Sequence, residues 1–274
     1  MIAWRMLDAS VVLPDGRSLA YTDCGPNDGP LVFYFHGAPM SRLDLVGQET
    51  TFDVLGVRVV SPDRPGYGGS TPQPRRMMED WPADVAALAD HLDTERFAVL
   101  GMSSGGPYAV ACAALLPGRV VSAAVVAGVT DMSWHAAWQG FTNDEATIMK
   151  LGSEEAAVRW CEEHFGRDGS GFLEDRAEAS GLLATFSEAF RQGVGGYAQD
   201  VMVQAKPWAF PFAAITVPVR VLHGDADMIV PIAHGQHTAA LISGATLETF
   251  PEHGHLSIMD EIPQLAADLA GSLQ

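Results

Sequence analysis

The sequence predicts an α/β fold built on a mostly parallel sheet, and three observations carry that expectation. Eight short strand-like segments alternate with helix-compatible stretches along the 274 residues. Several of these segments, such as residues 31–35, are apolar without interruption, as strands buried on both faces are. Finally, Gly101-Met102-Ser103-Ser104-Gly105 puts a serine in a G-x-S-x-G frame between the apolar run 97–100 and the helix-compatible stretch 107–116.

Taken in order, residues 10–13, the turn Pro14-Asp15-Gly16 and residues 18–22 read as a hairpin. The run 31–35 ends at His36-Gly37, and 57–60 ends just before Pro62-Asp63-Arg64-Pro65-Gly66. Residues 84–92 place Val85, Leu88 and Leu92 on one helical face, with Trp81-Pro82 at the start, where proline is tolerated. After the serine turn and its helix, 120–127 and 217–224 are the next two buried strands, 245–250 is the last, and a helix over 262–269 closes the chain.

The stretch from Gly128 to Thr216 is far longer than a parallel crossover requires, so a segment is inserted there. Thr142-Asn143-Asp144-Glu145 matches a capping box before a helix over 146–151, Gly152 stops it, and Ser153 caps a second helix over 154–165. Gly193-Val194-Gly195-Gly196 reads as a loop or hinge. The partition expected is a core of residues 1–130 and 213–274 interrupted by a helical cap over 131–212. The insert is rich in aromatic residues, which either pack it onto the core or line an apolar pocket beneath a lid.

A formal charge of −18 repels phosphate backbones and anionic lipid, so nucleic-acid and membrane partners are not expected. No apolar stretch is long enough to span a bilayer, and residues 1–8 do not form a signal peptide. Cys24, Cys112 and Cys161 are odd in number and never paired as C-x-x-C, which points to reduced thiols and a cytoplasmic location. Oligomeric state leaves no signature in the sequence.

The glycines of the serine frame have a steric reason: a hydroxyl projecting from so sharp a turn needs a strained backbone, and the residues two before and two after it must be small. Ser103 has glycine at both positions, whereas Ser104 has Met102 and Gly106, so Ser103 is the candidate nucleophile. A glycine-rich phosphate loop is the competing reading. Neither G-x-G-x-x-G after the first strand nor a G-K-[ST] ending is present, which excludes a dinucleotide or Walker site.

In the same order along the chain stand His36-Gly37-Ala38-Pro39, Asp63-Arg64-Pro65-Gly66-Tyr67-Gly68-Gly69-Ser70, the serine frame, Gly224-Asp225-Ala226-Asp227 with Val230-Pro231, and Gly254-His255. With these motifs the chain resembles the α/β-hydrolase family over nearly its whole length. The resemblance implies an eight-stranded, mostly parallel sheet flanked by helices, with the helical cap inserted after strand 6. It also implies a triad of Ser103, Asp227 and His255. Spacing within the family favours Asp227 over Asp225, a turn residue, and His255 over His253. By the same resemblance the backbone N–H of Ala38, with that of Ser104 at the start of the elbow helix, forms an oxyanion hole. His36 and the Asp63-Arg64 pair are expected to shape loops.

The activity implied is a serine hydrolase, free of cofactor and metal, acting on a small or medium carboxylic ester with an apolar acyl or aromatic group. Serine at the elbow disfavours the dehalogenase and epoxide hydrolase branches. Carbon–carbon bond hydrolases, lactonases, proline iminopeptidases and cofactor-free peroxidases share the triad and remain alternatives, as does a sensor with negligible turnover.

Overall fold

The computed structural model describes residues 7–175 and 182–273. A hairpin of β1 (Leu7–Val12) and β2 (Ser18–Cys24) opens the chain, followed by β3 (Leu31–Phe35), α1 (Glu49–Leu55), β4 (Arg58–Pro62), α2 (Trp81–His91) and β5 (Phe97–Met102). Next come α3 (Gly106–Leu115) and β6 (Val120–Val126), then α4 (Asp144–Met149), α5 (Glu154–Phe165), α6 (Ser170–Asp175), α7 (Leu183–Ala189) and α8 (Gly195–Gln204). The chain closes with β7 (Val219–Gly224), α9 (Ile232–Leu241), β8 (Thr246–Phe250) and α10 (Ile262–Gly271).

One eight-stranded sheet forms in the order β1-β2-β4-β3-β5-β6-β7-β8. The hairpin and its pairing with β4 are antiparallel, and every later pairing is parallel. Alternation along β3 divides the core: Phe33 and Phe35 join residues of α2 and α3, while Val32 and Tyr34 join residues of α1 and α10. Both layers are buried, which is why β3 and β5 carry almost only apolar side chains. A third cluster, made by α4 to α8 with Met40, Tyr67 and Val230, packs the inserted helices over the end of the sheet where the serine turn lies. No helix among the described residues is long and apolar enough to cross a membrane.

Two local expectations need correction. The cap of α4 is Asn143 and not Thr142: the Asn143 side-chain oxygen accepts from Ala146 N–H at 3.0 Å, so the helix begins at Asp144, two residues before the expected start at 146, with Asp144 and Glu145 in its first turn. Gly195 and Gly196 are not a loop but the first turn of α8. A Cβ on Gly196 would lie 2.2 Å from the carbonyl oxygen of Gly66, so the glycine permits close backbone contact between helix and core loop. Ser153 caps α5 as expected, accepting from Ala156 N–H at 3.2 Å.

Candidate active site

Ser103 sits where β5 meets the short helical turn leading into α3, with φ of +52°. This left-handed conformation is strained for a residue with a Cβ. It is held by packing that admits nothing larger than glycine on either side: a Cβ on Gly101 would meet the Gly105 carbonyl at 2.2 Å, and one on Gly105 would meet the Phe35 carbonyl at 2.1 Å.

His255 lies in the loop after β8 and Asp227 in the loop after β7, both at the carboxyl end of the sheet. His255 Nε2 is 3.0 Å from Ser103 Oγ, and its Nδ1 is 2.8 Å from Asp227 Oδ2. A carboxylate only accepts, so Nδ1–H donates to Asp227, and Nε2 is left to accept from the serine hydroxyl. Asp227 Oδ1 accepts from the N–H groups of Ile229 and Val230, each at 2.9 Å. Burial pushes the Asp227 carboxyl up, but hydrogen bonds from His223 and His255 override it and hold the group well below the usual carboxylate range.

The two alternatives lie apart from this chain of bonds. Asp225 accepts from Glu252 N–H at 2.7 Å, a turn-closing role, and the ring of His253 donates to the Pro251 carbonyl at 3.0 Å on the surface. His223, at the end of β7, is 3.4 Å from Asp227 and donates to the Val230 carbonyl at 2.9 Å, so it braces the acid loop.

Ser103 and His255 open on a cavity of about 340 Å³, walled by Met40, Met102, Phe172, Phe186, Tyr197 and Ile229 and bordered by Gly37 and Ala38. The inserted aromatics therefore divide. Phe172, Phe186 and Tyr197 face the cavity, whereas Trp208 stacks on Phe210 and Phe212 meets Phe210 edge-on, against the sheet. Ser104 N–H lies in the first turn after the strand, where helical N–H groups have no internal acceptor.

A family model described as the alpha/beta hydrolase fold matches residues 30–262. The chain belongs to that family. Among curated proteins this hydrolase is similar to a non-heme chloroperoxidase of Streptomyces lividans, 31% identical over 94% of this chain and 98% of the relative. It is also similar to a bifunctional esterase/perhydrolase of Acinetobacter calcoaceticus, 29% identical over 94% and 97%. Epoxide hydrolase A from Mycobacterium thermoresistibile superposes with a TM-score of 0.73 over 98% of each chain at 19% identity, a likeness of fold.

Behind the cavity lies a buried cluster that sequence reasoning missed. Arg64 donates through Nε and Nη2 to Asp200 Oδ2 at 3.1 and 2.9 Å, while Arg76 and the Tyr108 hydroxyl donate to Oδ1 at 2.5 and 2.6 Å. Burial pushes the Asp200 carboxyl up, but the two guanidinium charges dominate and hold it well below the usual range. A signal was present: Tyr197, Asp200, Val201 and Gln204 recur at helical spacing on one face of α8, so an acid stands in line with apolar residues on the face that the structure buries.

Proposed function

We propose that this hydrolase cleaves small or medium carboxylic esters with Ser103 as nucleophile, His255 as general base and Asp227 as the group that orients the imidazole. The observation that carries the reading is the unbroken relay from Ser103 Oγ through His255 to Asp227 at 3.0 and 2.8 Å, opening on the cavity. As Ser103 attacks the ester carbonyl, its proton passes to His255 Nε2, and the imidazolium is stabilised by the Asp227 carboxylate. The N–H groups of Ala38 and Ser104 receive the oxyanion. His255 then protonates the departing alcohol, and water, deprotonated by the same histidine, releases the acid. Residues 131–212 serve as the cap whose apolar wall receives the acyl or aromatic group, over a core of 1–130 and 213–274.

The three cysteines, all buried and unpaired, support a reducing, cytoplasmic setting. The test is Ser103→Ala together with labelling by an activated phosphonate. Loss of both turnover and label, with the fold retained, is expected; a variant that still turns over esters at the parental rate overturns the reading.

The relatives named for chloroperoxidase and esterase/perhydrolase activity favour one second reading. Hydrogen peroxide replaces water at the acyl-enzyme, giving a peracid and free Ser103. Peracid formation from acetate and peroxide, abolished by Ser103→Ala, is its signature.

A further inference from the structure

We propose that Arg64, gripped by Asp200 of α8, is a positioning residue that aims the Ala38 N–H at the reacting oxygen, so that the inserted segment builds part of the oxyanion hole. The inference rests on the Ser103 reading above. The Gly37 carbonyl is held from two sides, by Arg64 Nη2 at 3.2 Å and by His36 Nδ1 at 2.6 Å. Arg64 Nη1 also donates to the His36 carbonyl. The remaining nitrogen of His36, Nε2, accepts from Arg64 N–H at 3.3 Å, so Nδ1 carries the proton and donates to Gly37. Burial and the adjacent Arg64 charge push the His36 pKa well down, which keeps the ring neutral in this role.

The consequence follows from the peptide bond. The cis bond in this loop is Ala38–Pro39, so Gly37–Ala38 is trans, and in a planar trans unit the carbonyl and the following N–H point in opposite directions. Tying the Gly37 oxygen inward to Arg64 and His36 therefore turns the Ala38 N–H outward, toward the cavity that Gly37 and Ala38 border. Arg64 is in turn held on several sides: it is fully buried, its guanidinium lies over the rings of Tyr67 and Tyr108 at 5.2 and 5.1 Å, and Asp200 takes two of its N–H groups.

Asp200 uses separate oxygens for its two arginines, and this supplies a control. Arg76 shares the buried cluster but bonds to Asp200, Tyr108 and Gln199, away from the 36–38 loop. The experiment compares Arg64→Gln, Arg64→Lys, Arg76→Gln and Ser103→Ala in the full chain. It reads kcat and KM on one activated ester, together with affinity for a boronic acid that forms a tetrahedral adduct. Both Arg64 variants are expected to lose kcat by about 10- to 100-fold, to bind the boronic acid more weakly by a similar factor, and to keep KM near the parental value. Arg76→Gln is expected to keep kcat within about threefold. Lysine retains the charge beside Asp200 but cannot bridge the carboxylate and two carbonyls at once, so Arg64→Lys carries the test if the glutamine variant does not fold. Parental kcat in a folded Arg64 variant, or an equal fall in Arg76→Gln, overturns the inference. Retained activity in Ser103→Ala instead overturns the reading beneath it.

Discussion

Replacing Asp227 by asparagine isolates the orienting role of the acid with almost no change in shape. The two ends of the new amide are not interchangeable. The Oδ1 position faces the N–H groups of Ile229 and Val230, each at 2.9 Å, so the amide oxygen must occupy it. The NH2 group is then forced to the Oδ2 position, 2.8 Å from His255 Nδ1, where two donors meet. His255 relieves the clash by moving its proton to Nε2, and the nitrogen facing Ser103 can no longer accept. By the precedent of a triad with its tautomer inverted, kcat should fall by about ten-thousandfold, equivalent to about 5 kcal/mol of transition-state stabilisation. Steady-state kinetics on an activated ester, with thermal unfolding to verify the fold, measures it. A folded variant within tenfold of the parent would show that the imidazole is oriented by something other than this carboxylate.

The other predictions concern the paired histidines and pH. His255→Ala should lower kcat by about a thousandfold or more, and His253→Ala, whose ring bonds only a surface carbonyl, should leave it nearly unchanged; the reverse ranking in the same assay exchanges their roles. The carboxyls of Asp200 and Asp227 are held below their unfolded values, so the unfolded chain binds more protons, and their contribution to stability is intact above about pH 4 and lost as pH falls through the folded values. Asp44 has the opposite sign. Burial, only partly offset by the Tyr34 hydroxyl, raises it to about 7, so its contribution is complete in acid and is lost as pH rises through that value. Urea unfolding between pH 3 and 8 should show both limbs, and Asp44→Asn should flatten the upper one; an unchanged upper limb in that variant refutes the assignment.

Periodicity and punctuation made the sheet legible. Continuous apolar runs marked β3 and β5, and one broken only by Ser122 marked β6, because a strand covered on both faces has little polar side to display. Boundaries were less visible where backbone bonding decides them: β4 runs on through Ser61 and Pro62 because they pair with β2, and β7 starts only after Pro218. Ser103 could be chosen from local sterics alone. Asp227 and His255 could be chosen over Asp225 and His253 only through family spacing, since both members of each pair carry the same chemistry. The Arg64–Asp200 pair escaped because its partners stand 136 positions apart, and neither lies in a motif that names the other.

The cluster around Arg64 has a bearing on how such enzymes diversify. An inserted segment invites exchange, since a new roof offers new selectivity over an unchanged floor. Here the core keeps two buried cations, Arg64 and Arg76, whose shared counter-charge, Asp200, belongs to the inserted segment. A transplanted segment lacking an acid at the place of Asp200 strands both guanidiniums, at a penalty of several kcal/mol for each fully enclosed charge. Recombination in this scaffold is therefore constrained by the pairing of buried charge before it is constrained by fit.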